Sequence, residues 1–66
     1  MSPIQVPQVV FDGIEAVRLS GLTNMLDRFA VAHLADEMGY PESATWLREH
    51  KELYARAVFR GFEAIP

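Results

Sequence analysis

Ser20-Gly21 and Gly39 cut this 66-residue chain into pieces too short for anything but small helices. The stretch between them, SGLTNMLDRFAVAHLADEMGY, contains a helix stop, a polar restart at Thr23, Asn24 and Asp27, an apolar stripe at helical spacing, and a second stop. Glycine just past the last helical residue takes the left-handed conformation that ends a helix. Ser, Thr, Asn and Asp just before a helix accept hydrogen bonds from its free N–H groups. Such punctuation predicts an all-α fold, a small bundle of three or four short helices.

Size limits the rest. A chain this short forms one domain and buries only about 60% of the surface its unfolded form exposes. Cysteine is absent, which removes disulfides and thiolate zinc sites together. Half of the residues are nevertheless hydrophobic. Either the core is dense or part of that apolar surface meets another molecule, a homodimer partner or a docked protein.

Divided by residue, the chain reads as an extended lead over 1–7, one helical domain over 8–62 and a tail over 63–66. Pro3 and Pro7 disfavour helix for the residues before them, and Pro7 suits the first turn of a helix. Helix one runs from Gln8 to Ser20 with Val10, Ile14 and Val17 on its inner stripe. Gly13 inside it costs about 1 kcal/mol relative to Ala, and a close helix crossing is the simplest reason for it. Leu22 is expected to fold back on Val17 after the Gly21 stop.

Helix two starts after Asn24 or after Asp27, since both have capping spacing, and carries Val31, Leu34, Ala35 and Met38 inward. Helix three starts at Pro41 or Glu42 with Ala44 and Leu47 inside. A break near Glu49-His50 would make Lys51 to Arg60 a fourth helix. Arg48, Glu52, Arg56 and Arg60 lie four apart on its outer face, where two steps pair opposite charges. The expected core is Val10, Ile14, Val17, Leu26, Val31, Leu34, Met38, Leu47, Tyr54 and Val58, while Trp46 and Phe59 stay open between core and interface.

Three segments, GIEAVRLSGLTNMLD, VAHLADEMGY and WLREHKELYARAVFRG, together resemble a family of short tailed-phage and prophage proteins classed as a domain of unknown function. Its pattern runs G-I-x-A-V-R-x-S/T-G-x-T-N-M-F-D, then V-x-x-I-A-x-x-x-G-F/Y, then Y-I-x-x-N-x-x-x-Y-x-x-x-I-x-x-G. Matching positions include Gly13, Arg18, Gly21, Asn24, Met25, Asp27, Gly39, Tyr54 and Gly61, over about residues 12–62. Leu26 replaces Phe, Trp46 replaces Tyr and His50 replaces Asn. The resemblance implies phage or prophage origin and a place in the bacterial host cytoplasm. It implies no catalytic activity.

The residues point the same way. No Ser or Cys shows the partner arrangement of a nucleophile, and no cofactor motif is present, so an enzyme is not expected. His33, Asp36 and Glu37 share part of a helix face, with no second cluster to complete a metal shell. Formal net charge is −3, with five acids against two arginines in residues 1–40 and an even balance in residues 41–66. Nucleic-acid binders are usually basic, and no apolar run nears the roughly 20 residues that cross a bilayer. Arg18 with Asn24 and Asp27 is the best candidate for a site, as a pair across the turn beside an exposed Met25. Against it stands the plainer reading that these residues cap the helices.

The function expected is a non-enzymatic phage accessory protein that binds and modulates or inhibits a host or phage macromolecular complex. An anti-CRISPR-type inhibitor of a bacterial defence system is its sharpest form. Arg18, Asn24, Met25, Asp27, Asp36 and Glu37 would form the partner-binding surface, an acidic face set against a basic groove of the target. The alternative is a small helix-turn-helix-like DNA-binding regulator using helices two and three. There, Thr45 and Arg48 fall where apolar residues are needed, and Glu42 would repel phosphate.

Overall fold

A computed structural model describes residues 2–66. The chain order is β1 (Ile4–Pro7), α1 (Gln8–Ser20), α2 (Arg28–Glu37), α3 (Pro41–Glu49), α4 (Lys51–Arg60) and β2 (Phe62–Ile65). Four short helices bear out the helical expectation, but the fold is not purely α. The two chain ends pair as a parallel two-stranded sheet, Ile4 opposite Phe62 through Pro7 opposite Ile65. The described part of the lead is thus strand over Ile4–Pro7, and the tail is strand up to Ile65. Parallel strands need a crossover, and here all four helices serve as one.

Alternation fixes which way the strands face. Val6 is fully buried, Ile4, Phe62 and Ala64 are partly buried, and Gln5 and Glu63 point out. Their side chains meet across the ladder, with the Gln5 amide donating to Glu63 at 2.9 Å.

The α1 stripe is as expected: Val10, Gly13, Ile14 and Val17 are buried. Gly21 ends the helix in the left-handed region, with φ 67°, and its N–H donates to the Arg18 carbonyl. Leu22 does not fold back. Its N–H donates to Ser20 Oγ, and its side chain is exposed.

Gly13 is where α1 and α3 cross. A Cβ built there would lie 2.0 Å from Ser43 Oγ and 2.7 Å from Tyr40 Cβ. Ser43 is wholly buried, and its hydroxyl lies 2.9 Å from the Val10 carbonyl and 3.2 Å from that of Val9. A buried hydroxyl is costly unless bonded. This one turns that requirement into a latch between the two helices.

Asp27 settles the open start of α2. Its carboxylate accepts from Ala30 N at 3.1 Å as N-cap. Asn24 instead closes a turn before it, accepting from Leu26 N at 2.8 Å. Because α2 begins at Arg28, Leu26 lies outside the helix and is 68% exposed, contrary to its expected place in the core. Met38 also departs, 39% exposed at the C-cap. Val31, Ala32 and Ala35 form the buried face, small enough to let α3 approach closely. Leu34 and Val58 are only partly buried, while Val10, Ile14, Val17, Val31, Leu47 and Tyr54 hold the core as expected.

The break at Glu49-His50 is real. His50 leaves the helical region at φ −124°, ψ 57°, its ring stacks on Trp46, and Nδ1–H donates to the Trp46 carbonyl at 2.9 Å. Trp46 is half-buried, edge-on to Phe62. Of the ion pairs expected along the outer face, neither Arg48–Glu52 nor Glu52–Arg56 forms among the described residues, since Arg48 turns to Asp36 of α2 at 2.7 Å.

Tyr54 anchors α4. Burial raises its pKa above the ordinary phenol value, and its hydroxyl donates to the Met25 carbonyl. This ties α4 to the α1–α2 loop. Tyr54→Phe leaves that carbonyl without its donor and is expected to cost about 1–3 kcal/mol. Chemical denaturation measures it, and a variant as stable as the parent would show that the bond holds nothing.

Candidate functional site

Most of the residues expected at a site are spent on the fold. Arg18 does not reach across to Asp27. It forms a two-pronged pair with Glu15, one helical turn back, both contacts 2.8 Å, and this hydrogen bonding holds the Glu15 carboxyl below its usual pKa. Met25 is half-buried against the core rather than exposed. Asn24 and Asp27 make the local bonds described above. Asp36 is held by Arg48, and Glu37 lies 2.7 Å from His33 Nε2. The six residues are thus spread over the end of α1, the loop and the end of α2, and all five polar ones hold a partner in the chain, four of them within four residues. As N-cap, Asp27 is worth about 1 kcal/mol. Asp27→Ala should lower the denaturation midpoint by that amount, and an unchanged midpoint would mean the cap is idle.

A different face has the character of a site. The α1–α2 loop and the first turn of α2 stand off from α4 and leave a groove of about 610 Å³. Leu26 and Phe29 form one wall, Ala55, Val58 and Phe59 the other, and Tyr54 lies at the base. Phe29 is 73% and Phe59 86% exposed. Exposed aromatics grouped at a concavity mark binding surfaces, whereas scattered ones do not.

Local sequence explains the geometry. Asp27 starts the helix late, which throws Leu26 and Phe29 outward. Arg28 then bends inward, Nη1 donating to the Leu47 carbonyl at the end of α3 at 2.8 Å. Its guanidinium lies 4.6 Å from the Phe29 ring centroid, a cation–π contact that steadies the exposed ring. On α4, Tyr54 and Ala57 face inward, so Phe59 falls on the outer arc. Lys51 closes one end of the groove.

Phe29 has no place in the core expected from the sequence, and Phe59 is open there between core and interface. The signal for Phe59 lay in the spacing: it is off the inward Tyr54–Ala57 line.

The groove is lined mainly by apolar side chains, with the backbone-bound Tyr54 hydroxyl at its base and Asn24, Asp27, Arg28 and Lys51 also lining it. Among the described residues no three His, Asp or Glu side chains come together as metal ligands. No helix of the described residues is long and apolar enough to cross a membrane. The outward side chains of α3, the helix that a DNA-binding reading would place against bases, are Glu42, Thr45, Arg48 and Glu49, of which Arg48 is already paired.

A family model described as "Domain of unknown function (DUF5049)" matches residues 7–61. No curated protein matches the chain, and no solved structure does.

Proposed function

The chain belongs to the DUF5049 family, and for this member we propose a non-catalytic role: a small docking protein that seizes a partner protein in the groove between α2 and α4. The exposure of Phe29 and Phe59 carries this reading. A domain that gains little stability from its small core leaves two of its largest apolar side chains in water, one of them steadied by Arg28. Aromatic side chains at the rim of an apolar groove are the usual anchors of protein interfaces.

The resemblance of residues 12–62 to short phage proteins supports phage or prophage origin, and with it action on a host or phage complex inside the bacterium. An inhibitor of a host defence system is the sharpest version of that role. The acidic surface over residues 12–37 has less to recommend it as the contact face, because Glu15 and Asp36 are already paired with arginines and Glu37 lies against His33 of its own helix. The DNA-binding alternative draws no support from the outer face of α3.

A photo-crosslinking amino acid at position 59, in cells carrying the parent phage or prophage, should capture a discrete protein. The same probe at Glu42, on the far side of α3, should capture none. Capture from position 42 and not from 59 would overturn the proposal.

A further inference from the structure

We infer that the occupant of this groove is an acidic amphipathic helix of the partner protein, a statement that rests on the docking reading above and adds the chemistry of what docks. The observation is how the chain disposes of its cations. It has six Lys and Arg residues. Arg18 is bound to Glu15, Arg48 to Asp36, and Arg28 to the carbonyls that end α3. The other three, Lys51, Arg56 and Arg60, form no ion pair among the described residues, and all three lie on α4, the wall that carries Phe59.

Their spacing suits one ligand. At 100° per residue, Lys51, Arg56 and Arg60 fall on the exposed arc of α4 together with Phe59, Arg56 one turn before it and Arg60 next to it. Glu52, the one acid on that helix, falls on the same arc between Phe59 and Arg56, so three cations against one acid leave the arc at +2 although the protein as a whole is acidic. A segment bound there meets apolar groove walls first and unneutralised cations along the outer edge. A helix with apolar side chains at i, i+3 or i+4 and i+7, and carboxylates on its flanks, answers both.

Other occupants answer only one. Nucleic acid would find the cations but mostly apolar walls where base edges need donors and acceptors, and would approach a protein of net charge −3. A second copy docked α4 to α4 about a two-fold axis would set like charges against each other.

The test uses the intact isotope-labelled protein and three probes: a 14-residue (about four turns) helical peptide of Leu at those positions with Glu elsewhere, the same peptide with Lys for Glu, and a short DNA duplex. The Glu peptide is expected to shift resonances of residues 26–29 and 51–59 and to bind about tenfold or more tighter than its Lys twin, a preference that weakens with salt. Reversing the three exposed cations (K51E, R56E, R60E) should invert the preference, with the fold intact because surface changes of this kind cost little. Equal affinity for both peptides would overturn the acidic-partner inference while leaving the docking groove in place. Absence of binding by either peptide would remove the groove itself. Shifts on these residues with DNA alone, or concentration-dependent self-association through α4, would assign the face to another occupant and end the inference.

Discussion

Gly13→Ala should destabilise the protein by about 3 kcal/mol, a large share of what a domain of this size has. Helix propensity alone predicts the opposite sign, since Ala is better than Gly in a helix interior by about 1 kcal/mol. Packing decides it. The added carbon would sit 2.0 Å from Ser43 Oγ, 2.6 Å from Ser43 Cβ and 2.7 Å from Tyr40 Cβ. Side-chain rotation relieves only the first of these, so α3 must move as a body. Overpacking of this kind costs typically about 1–3 kcal/mol and sometimes more. Moving α3 also pulls Ser43 from the Val9 and Val10 carbonyls, a further loss of about 1–3 kcal/mol.

Two companions sharpen the test. Ser43→Ala placed on Gly13→Ala should rescue little, because the Ser43 Cβ clash remains. Gly21→Ala has open space around it and strains only a left-handed backbone, so its cost should be nearer about 1 kcal/mol. Urea titration followed by circular dichroism ranks all three. A Gly13→Ala variant as stable as the parent would mean that α1 and α3 do not cross so closely.

Replacing Phe29 and Phe59 together by Ser should separate binding from folding. Both rings are mostly in water, so little burial is lost and the denaturation midpoint should stay within about 0.5 kcal/mol of the parent. Interface aromatics of this kind typically contribute about 2 kcal/mol or more each to binding. The pair should therefore weaken partner affinity by about a thousandfold. If the double variant instead unfolds, the rings are structural and the docking account loses its basis. If it folds and binds as before, the contact face lies elsewhere.

How far these features could be read from the residues depended on how local their causes were. The α1 stripe, the Gly21 stop and the break at His50 each follow from neighbours within a turn or two, and each was legible; the close crossing showed only as a glycine kept inside a helix, not as its partners Ser43 and Tyr40, about thirty positions on. The sheet was not. Ile4–Pro7 and Phe62–Ile65 are four residues long, lie 58 positions apart, and pair in parallel, so neither carries a periodic signal that reveals its partner. Leu26 was misplaced by one choice between capping residues: a helix beginning after Asn24 would turn it inward, whereas one capped by Asp27 leaves it in the loop.

The geometry around the candidate site was less legible than the fold for the same reason. Arg18, Asn24 and Asp27 looked like a constellation because they flank one turn, but the nearer carboxylate of Glu15 takes the arginine. The groove is assembled from residues more than twenty positions apart, Leu26 and Phe29 facing Ala55 and Phe59, and its cations stand out only once every other cation is seen to be paired.

The central claim is that the face made by the α1–α2 loop, the start of α2 and the outer arc of α4 is where a partner protein sits. α4 packs mainly on β1 and α3 and buries only Tyr54 and Ala57, so its amides should exchange early in the free protein. Hydrogen exchange on the free protein and on its partner-bound complex tests the claim most directly. Protection gained over residues 24–30 and 51–60, with residues 10–18 and 41–49 unchanged, is the predicted result. Protection gained along α1 and α3 instead, with α4 still exchanging freely, would contradict it.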